Sequence, residues 1–301
     1  MQYLIVGPAI VNNIVFPDRS VMRRVPGGAV YCLAGIRLWS DSCLFVADVG
    51  DDFDRYYGHW MSENGMSCAG LSPVLPHTWY TTLVYGDKGL HSEKSVYKDD
   101  EQALDDFNNT VAAGPIAAAC SPDTKGIYIE ASETAPVWED IGMIRKAAPA
   151  KIMWELPTSA ATTVSRRSGV MKALEKADAY SVNFPEACGL FGADSDQAAI
   201  AAIAAFGKPC FLRTGKRGSY FIEAGGVDFS PSVSVGKAAD ATGCGNASTA
   251  AALYAWCEGY TGKAITKAAN ISAAFNILQY GPFPKADDAA RSLAKRLLNK
   301  S

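Results

Sequence analysis

Short apolar runs alternate along the chain with stretches whose small and apolar residues recur at helical spacing. Leu4–Val6, Cys43–Val49, Gly126–Glu130, Lys151–Leu156, Ala179–Val182 and Cys210–Thr214 read as strands. Val30–Trp39, Phe53–Asn64, Val164–Ala177, Ser195–Phe206, Lys263–Tyr280 and Lys285–Asn299 read as helices, and Gly65 and Gly207 stand where left-handed caps would end two of them. Strands alternating with helices predict βαβ units, hence a doubly wound, mostly parallel α/β sheet with helices on both faces. Ligands of such sheets bind at the carboxyl ends of the strands. Asn183, Thr214 and the residues after Asp240 fall at such ends or in the loops that follow.

Two segments break the rhythm. Asn13–Arg24 is β-branched and of mixed charge, and Thr78–Tyr85 carries apolar or aromatic groups on both of its alternating faces. Gly86-Asp87-Lys88-Gly89 suits a hairpin turn, with Ser92–Tyr97 as the return strand. These pieces predict a small β-layer projecting from the main body.

Composition narrows the function classes. The 301 residues are 49% hydrophobic and 20% charged, as expected of a globular chain with a large core. A net charge of −3 argues against a nucleic-acid binder, which is usually basic. No apolar stretch is long enough to suggest a membrane span, and the start reads as a strand rather than a leader. The eight cysteines form no C-x-x-C pair, which disfavours zinc and a disulfide framework and fits a reducing cytoplasm. His59, His77 and His91 are isolated, and no Walker A or G-x-G-x-x-G sequence occurs.

The sharpest chemical signal is Asp240-Ala241-Thr242-Gly243-Cys244-Gly245-Asn246, which leads into an Ala-rich helix. Unpaired N–H groups at a helix start carry the positive end of its dipole, and glycines allow close approach of an anion. This suits an anion hole for a transferring phosphoryl group. A tight turn with a helix cap has the same local pattern. Asp51-Asp52 is equally open between metal ligation and helix capping.

Further elements accompany this loop: Asn183-Phe184-Pro185-Glu186 and Thr214-Gly215-Lys216-Arg217-Gly218 after strands, Gly27-Gly28 before a helix, and Gly50-Asp51-Asp52 after a strand. In this order they resemble the PfkB/ribokinase family of carbohydrate kinases over nearly the whole chain. The family's D-T-x-G-A-G-D reads D-A-T-G-C-G-N here, and its N-x-x-E is present as Asn183 and Glu186. The resemblance implies a single ribokinase-like domain over residues 1–301, with a β-sheet lid formed by about 12–26 and 76–98. It implies ATP and Mg²⁺ as cofactors, with a monovalent cation optional, and a small sugar or nucleoside as acceptor. It also implies a cytoplasmic homodimer joined through the lid. Gly243, Cys244 and Gly245 would form the anion hole. Thr214, Gly215, Gly218 and Asn270 would line the nucleotide, and Asn183 and Glu186 would hold Mg²⁺ through water. Asn12, Gly27, Gly28 and Cys32 would face the acceptor.

Three departures qualify this. Asn246 stands where the family has the aspartate that takes the acceptor's proton, and an amide has no carboxylate to do so. Positioned base help is typically worth about 10² to 10⁴ in rate, whereas phosphoryl transfer rests mostly on positioning and charge, so the loss predicts a slow enzyme rather than a dead one. A non-catalytic ribokinase-fold binder and an engineered substrate trap are the competing readings. Asn12 replaces the usual substrate aspartate, and Cys32 the usual asparagine. Thr214 precedes the G-x-x-G directly, whereas the family's Thr sits one position earlier, at Arg213.

Overall fold

The computed structural model describes residues 1–86, 91–97 and 110–300. The main sheet has nine strands: β1 Tyr3–Val6, β4 Cys43–Gly50, β5 Leu71–Leu75, β8 Gly126–Glu130, β9 Lys151–Glu155, β10 Ala179–Asn183, β11 Cys210–Arg213, β12 Gly218–Glu223 and β13 Gly226–Pro231. Their order is β13-β12-β11-β10-β9-β8-β1-β4-β5. The run from β11 to β5 is parallel, and β12 and β13 add an antiparallel hairpin at one edge. Sequence periodicity missed that hairpin, whose turn lies at Ala224-Gly225. A second sheet of four strands, in the order β3-β2-β6-β7, comprises β2 Ala9–Val15, β3 Val21–Gly28, β6 Trp79–Tyr85 and β7 His91–Ser95. Beyond Gly86, the hairpin turn expected at Gly86–Gly89 lies outside the described residues.

The strand pleat sorts side chains between two cores. Leu4, Val6, Ile127, Ile129, Ile152, Trp154, Tyr180, Val182, Cys210 and Leu212 face one core. On that side lie helices α3 Ala113–Ala119, α4 Ile141–Ala147, α5 Thr158–Thr162, α6 Arg167–Leu174, α7 Phe184–Phe191 and α8 Asp196–Phe206. The alternating residues Tyr3, Ile5, Tyr128, Met153, Ala179 and Phe211 face the other. There lie α1 Val30–Arg37, α2 His59–Glu63, α9 Cys244–Cys257, α10 Lys263–Asn276 and α11 Asp288–Asn299.

Helix ends differ from the periodic pattern where tertiary contacts decide them. Helix α10 stops at Asn276 rather than Tyr280. The Ile277 carbonyl accepts the N–H groups of Ala239 and Asp240 at 2.8 and 3.2 Å, and the Asn276 side chain donates to the Thr242 carbonyl. Helix α11 begins at Asp288 because the Asp287 carboxylate accepts the Ala290 N–H at 2.8 Å. The Phe53–Asn64 stretch opens with a π-type turn over Asp54–Gly58 before α2, and Gly65 follows with φ 58°.

Trp154 is the largest fully buried side chain. Its indole N–H donates to the Ala131 carbonyl, and its ring lies 4.8 Å from that of Trp138. Trp154→Ala is expected to lower stability by about 3–5 kcal/mol, read as a fall in the urea midpoint at unchanged slope.

Candidate active site

Period-two alternation and strand register together build the site. Glu130, Glu155, Ser181, Asn183 and Arg213 share parity with the residues facing α9, and each lies at or near the carboxyl end of its strand. Register pairs Glu130 with Glu155, Glu155 with Ser181, and Asn183 with Arg213. A band of polar and charged groups therefore crosses the sheet beneath the start of α9.

Gly243 opens that helix with φ 75°, and no side chain caps it. The Cys244 N–H is taken by the Ala241 carbonyl at 3.1 Å, and the Ala247 N–H by the Gly243 carbonyl at 2.9 Å. Among the described residues the N–H groups of Gly243, Gly245 and Asn246 have no such backbone partner; of the Gly243–Gly245 set expected from the sequence, only the Cys244 N–H is engaged. Asp240 holds the loop: its Oδ1 accepts from the Thr242 N–H and hydroxyl at 3.0 and 2.8 Å. The small sheet reaches the same loop through Tyr85, whose hydroxyl lies 2.8 Å from Thr242 Oγ1.

Asn246 donates through Nδ2 to the Tyr128 hydroxyl at 3.2 Å, and Tyr128 donates to Glu130 Oε2 at 3.3 Å. Cys32 is fully buried beside this chain. Burial pushes its thiol well above the ordinary range. Burial, and then the Glu155 charge, push the Glu130 carboxyl up to about 7. Sequence reasoning missed both Tyr128 and Glu130. The available signal was a carboxylate at the end of a central strand, where open α/β sheets bind ligands.

Asn12 is buried in β2. Its Oδ1 accepts from Thr81 at 2.8 Å, and a Cβ on Gly27 would lie 2.2 Å from its Nδ2. Gly28 has φ 66° and packs against the Pro8 carbonyl. A largely apolar cavity of about 240 Å³ lies at the ends of β1 and β4, lined by residues that include Gly7, Val46, Trp79 and Ile116. It adjoins the site through Gly7, where a Cβ would stand 3.5 Å from Glu130 Oε2.

On the other side of Gly245 the groups are committed among themselves. Thr214 donates its hydroxyl to the Gly218 carbonyl at 2.7 Å, closing the Gly215–Arg217 turn. Arg217 pairs with Asp196 and covers the Phe184 ring, so it braces the turn from outside. Asn270 accepts from Ser219 and donates to the Ser230 and Pro231 carbonyls, which clasps α10 to the β12–β13 hairpin and leaves its amide engaged. Asp52 accepts the Thr78 N–H at 2.6 Å, tying the end of β4 to the small sheet rather than capping a helix.

The pfkB family carbohydrate kinase profile matches residues 22–288. The chain belongs to that family. No curated protein sequence matches it. Among solved structures, it resembles aminoimidazole riboside kinase from Salmonella enterica, complexed with aminoimidazole riboside and an ATP analogue, at TM-score 0.75 and 18% identity, over 99% of this chain and 100% of that one. A putative ribokinase II from E. coli in complex with ATP and Mg²⁺ matches at TM-score 0.73 and 17% identity, over 98% and 99%. A Burkholderia thailandensis nucleoside kinase in complex with inosine matches at TM-score 0.73 and 18% identity, over 98% and 96%. At these identities the structures share the fold, and the pfkB family with its neighbours supports a phosphotransferase.

The donor set of this pfkB-family chain does not fit a directly coordinated divalent cation. Asn183 and Glu186 form a reciprocal capping box: Asn183 Oδ1 accepts the Glu186 N–H at 2.9 Å, and Glu186 Oε2 the Asn183 N–H at 2.8 Å. Glu186 Oε1 accepts from the Thr158 hydroxyl at 2.8 Å, and Oε2 also meets Arg213 Nη2 at 3.3 Å. Glu155 gives Oε1 to Arg213 Nη2 at 2.5 Å and Oε2 to Thr249 at 2.9 Å. Each oxygen of Glu155 and Glu186 already has a partner, whereas Asp240 Oδ2 in the loop is buried without one. Among the described residues no group of three or more His, Cys, Asp or Glu could hold a metal ion.

Gly243 tests how tightly the loop is built, since a Cβ there would lie 2.1 Å from the Tyr31 ring. Gly243→Ala is expected to cost about 1–2 kcal/mol from the left-handed backbone alone. The ring contact adds to this, for a fall in Tm of at least about 4 °C. Gly259→Ala, at φ 80° with nothing within 4 Å, carries the strain without the clash. The difference between the two melting shifts reads the Tyr31 contact.

Proposed function

We propose that this chain is a kinase that transfers the γ-phosphate of ATP to a hydroxyl of a small sugar or nucleoside. The observation that carries the reading is the chain of hydrogen bonds from Asn246 through Tyr128 to Glu130, set directly beneath the N–H groups of Gly245 and Asn246. The ligands of the structural neighbours, aminoimidazole riboside and inosine, support the same acceptor class for this chain.

In this reading the acceptor hydroxyl sits against the Asn246 amide and the Tyr128 hydroxyl; Tyr128 takes its proton while passing its own to the Glu130 carboxylate. The hydroxyl oxygen bonds to the γ-phosphorus, the bond to the β-phosphate oxygen breaks, and ADP leaves. Charge growing on the transferring group is met by the N–H groups at the α9 start. Asn12, Gly27, Gly28 and Cys32 would face the acceptor, and Thr214, Gly215, Gly218 and Asn270 would shape the nucleotide side. The small sheet would act as a lid that excludes water. Its exposed Val21, Met22 and Val84 suit pairing with the lid of a second copy. Among the described residues no helix is long and apolar enough to cross a membrane, and we place the reaction in the cytoplasm.

Missing its carboxylate at position 246, the site also supports a second reading, a protein that binds its ligands without turnover. ADP release across a panel of sugars and nucleosides, with ATP and Mg²⁺ supplied, separates the two. Measurable release with one acceptor class is expected, and Asn246→Asp is expected to raise it by about 10-fold or more. No release with any acceptor, together with no gain in Asn246→Asp, overturns the kinase reading.

The Glu130 shift gives the pH dependence its sign. A carboxyl that titrates near 7 is neutral and unable to accept a proton below that pH, and ionised above it. The rate should therefore climb as pH rises through about 7 and then level. Glu130→Gln is expected to lower the rate about 10²-fold and to remove the inflection.

A further inference from the structure

We propose that Arg213 is the resident cation of the phosphate site and stands in for a protein-held divalent metal. The inference rests on the nucleotide-site reading above and assigns the source of positive charge within it. The ligand it would meet is the phosphate end of a nucleoside diphosphate or triphosphate.

Three observations carry it. The guanidinium lies against the anion loop itself, since a Cβ on Gly245 would stand 2.3 Å from Arg213 Nη1. Its other terminal nitrogen, Nη2, joins Glu155 at 2.5 Å and Glu186 at 3.3 Å, with both carboxylates buried. Each oxygen of those carboxylates already accepts from Arg213, Thr249, Thr158 or the Asn183 N–H, so a metal bound there would compete with these bonds. A divalent ion seated there would have to expel a guanidinium and break these bonds. Burial works against the Arg213 charge, and the Glu155 and Glu186 charges more than offset it, so the side chain stays protonated.

Asn246 removes a carboxylate that would repel a phosphate, and Arg213 adds a cation where the family pattern has Thr. A guanidinium presents paired N–H groups in a fixed plane, a geometry suited to phosphate oxygens. Beside it the Tyr31 ring covers Gly243, and the Tyr31 hydroxyl is buried without a partner.

Calorimetric titration with ADP, in buffer containing either MgCl₂ or EDTA, tests this by binding rather than turnover. The unmodified protein is expected to bind ADP with dissociation constants within about threefold of each other in the two buffers. In Arg213→Thr, and in the charge-compensated double variant Glu155→Gln/Arg213→Thr, metal-free affinity should fall at least about tenfold, with Mg²⁺ restoring part of it. Circular dichroism melting checks that each variant is folded. If neither variant folds, the comparison of the two buffers on the unmodified protein decides alone. ADP binding that needs Mg²⁺ overturns the role of Arg213 while leaving the nucleotide site standing. Full metal-free affinity in a folded variant overturns it too. Absence of ADP binding in both buffers brings down this inference and the nucleotide-site reading together.

Discussion

Helix α9 is buried along nearly its whole length, and the site depends on that burial. Ala247, Ser248, Thr249, Ala250, Ala251, Ala252, Leu253 and Ala255 are all shielded from solvent. Only small side chains let a helix sit this close to a sheet on one side and to α1 and α10 on the other. The contact with α1 is backbone to backbone, since a Cβ on Gly35 would lie 2.3 Å from the Ala247 carbonyl oxygen. With the helix axis fixed, its uncapped start has one place to be, over the carboxyl ends of β8 to β11.

That placement brings the dipole of α9 over a band of charge. Glu155 and Glu186 are buried, and a buried carboxylate is costly unless it is paired and fully hydrogen-bonded. Arg213, Thr249, Thr158 and the Asn183 backbone meet the condition. Among the described residues no cation pairs with Glu130, and burial holds its proton up to about neutral pH. Burial raises the Glu155 carboxyl as well, but there the Arg213 charge and the Thr249 hydrogen bond oppose it. Glu130 is thus the carboxyl best placed to exchange a proton.

Much of this was legible from the residues. The alternation of strands and helices gave the parallel sheet, because period 2 and period 3.6 follow from backbone geometry. The glycines around Cys244, with Asn183 and Glu186, marked the ligand end of that sheet and the family. The absent carboxylate at Asn246 was visible directly. Glu130 and Tyr128 were not singled out, because inside an apolar strand nothing local distinguishes a site residue from a strand end. Asn270 looked like a nucleotide contact, and its amide is instead engaged with the β12–β13 hairpin, an edge whose antiparallel pairing the periodicity did not register.

By itself the sequence determined what is local: which residues can form a strand or a helix, where glycine permits a left-handed turn, and which side chains carry a carboxylate, an amide or a guanidinium. Those properties depend on neighbours a few positions away. Tertiary structure alone decided which of these groups meet. Strand parity places Glu130, Glu155 and Arg213 on one face, but cross-strand register pairs Glu130 with Glu155, side-chain packing brings Arg213 across β10 to Glu155, and the seat of α9 brings Asn246 to Tyr128 and Gly245 to Arg213. Register and helix seating are fixed by packing between residues far apart in the chain, so no window of sequence contains them.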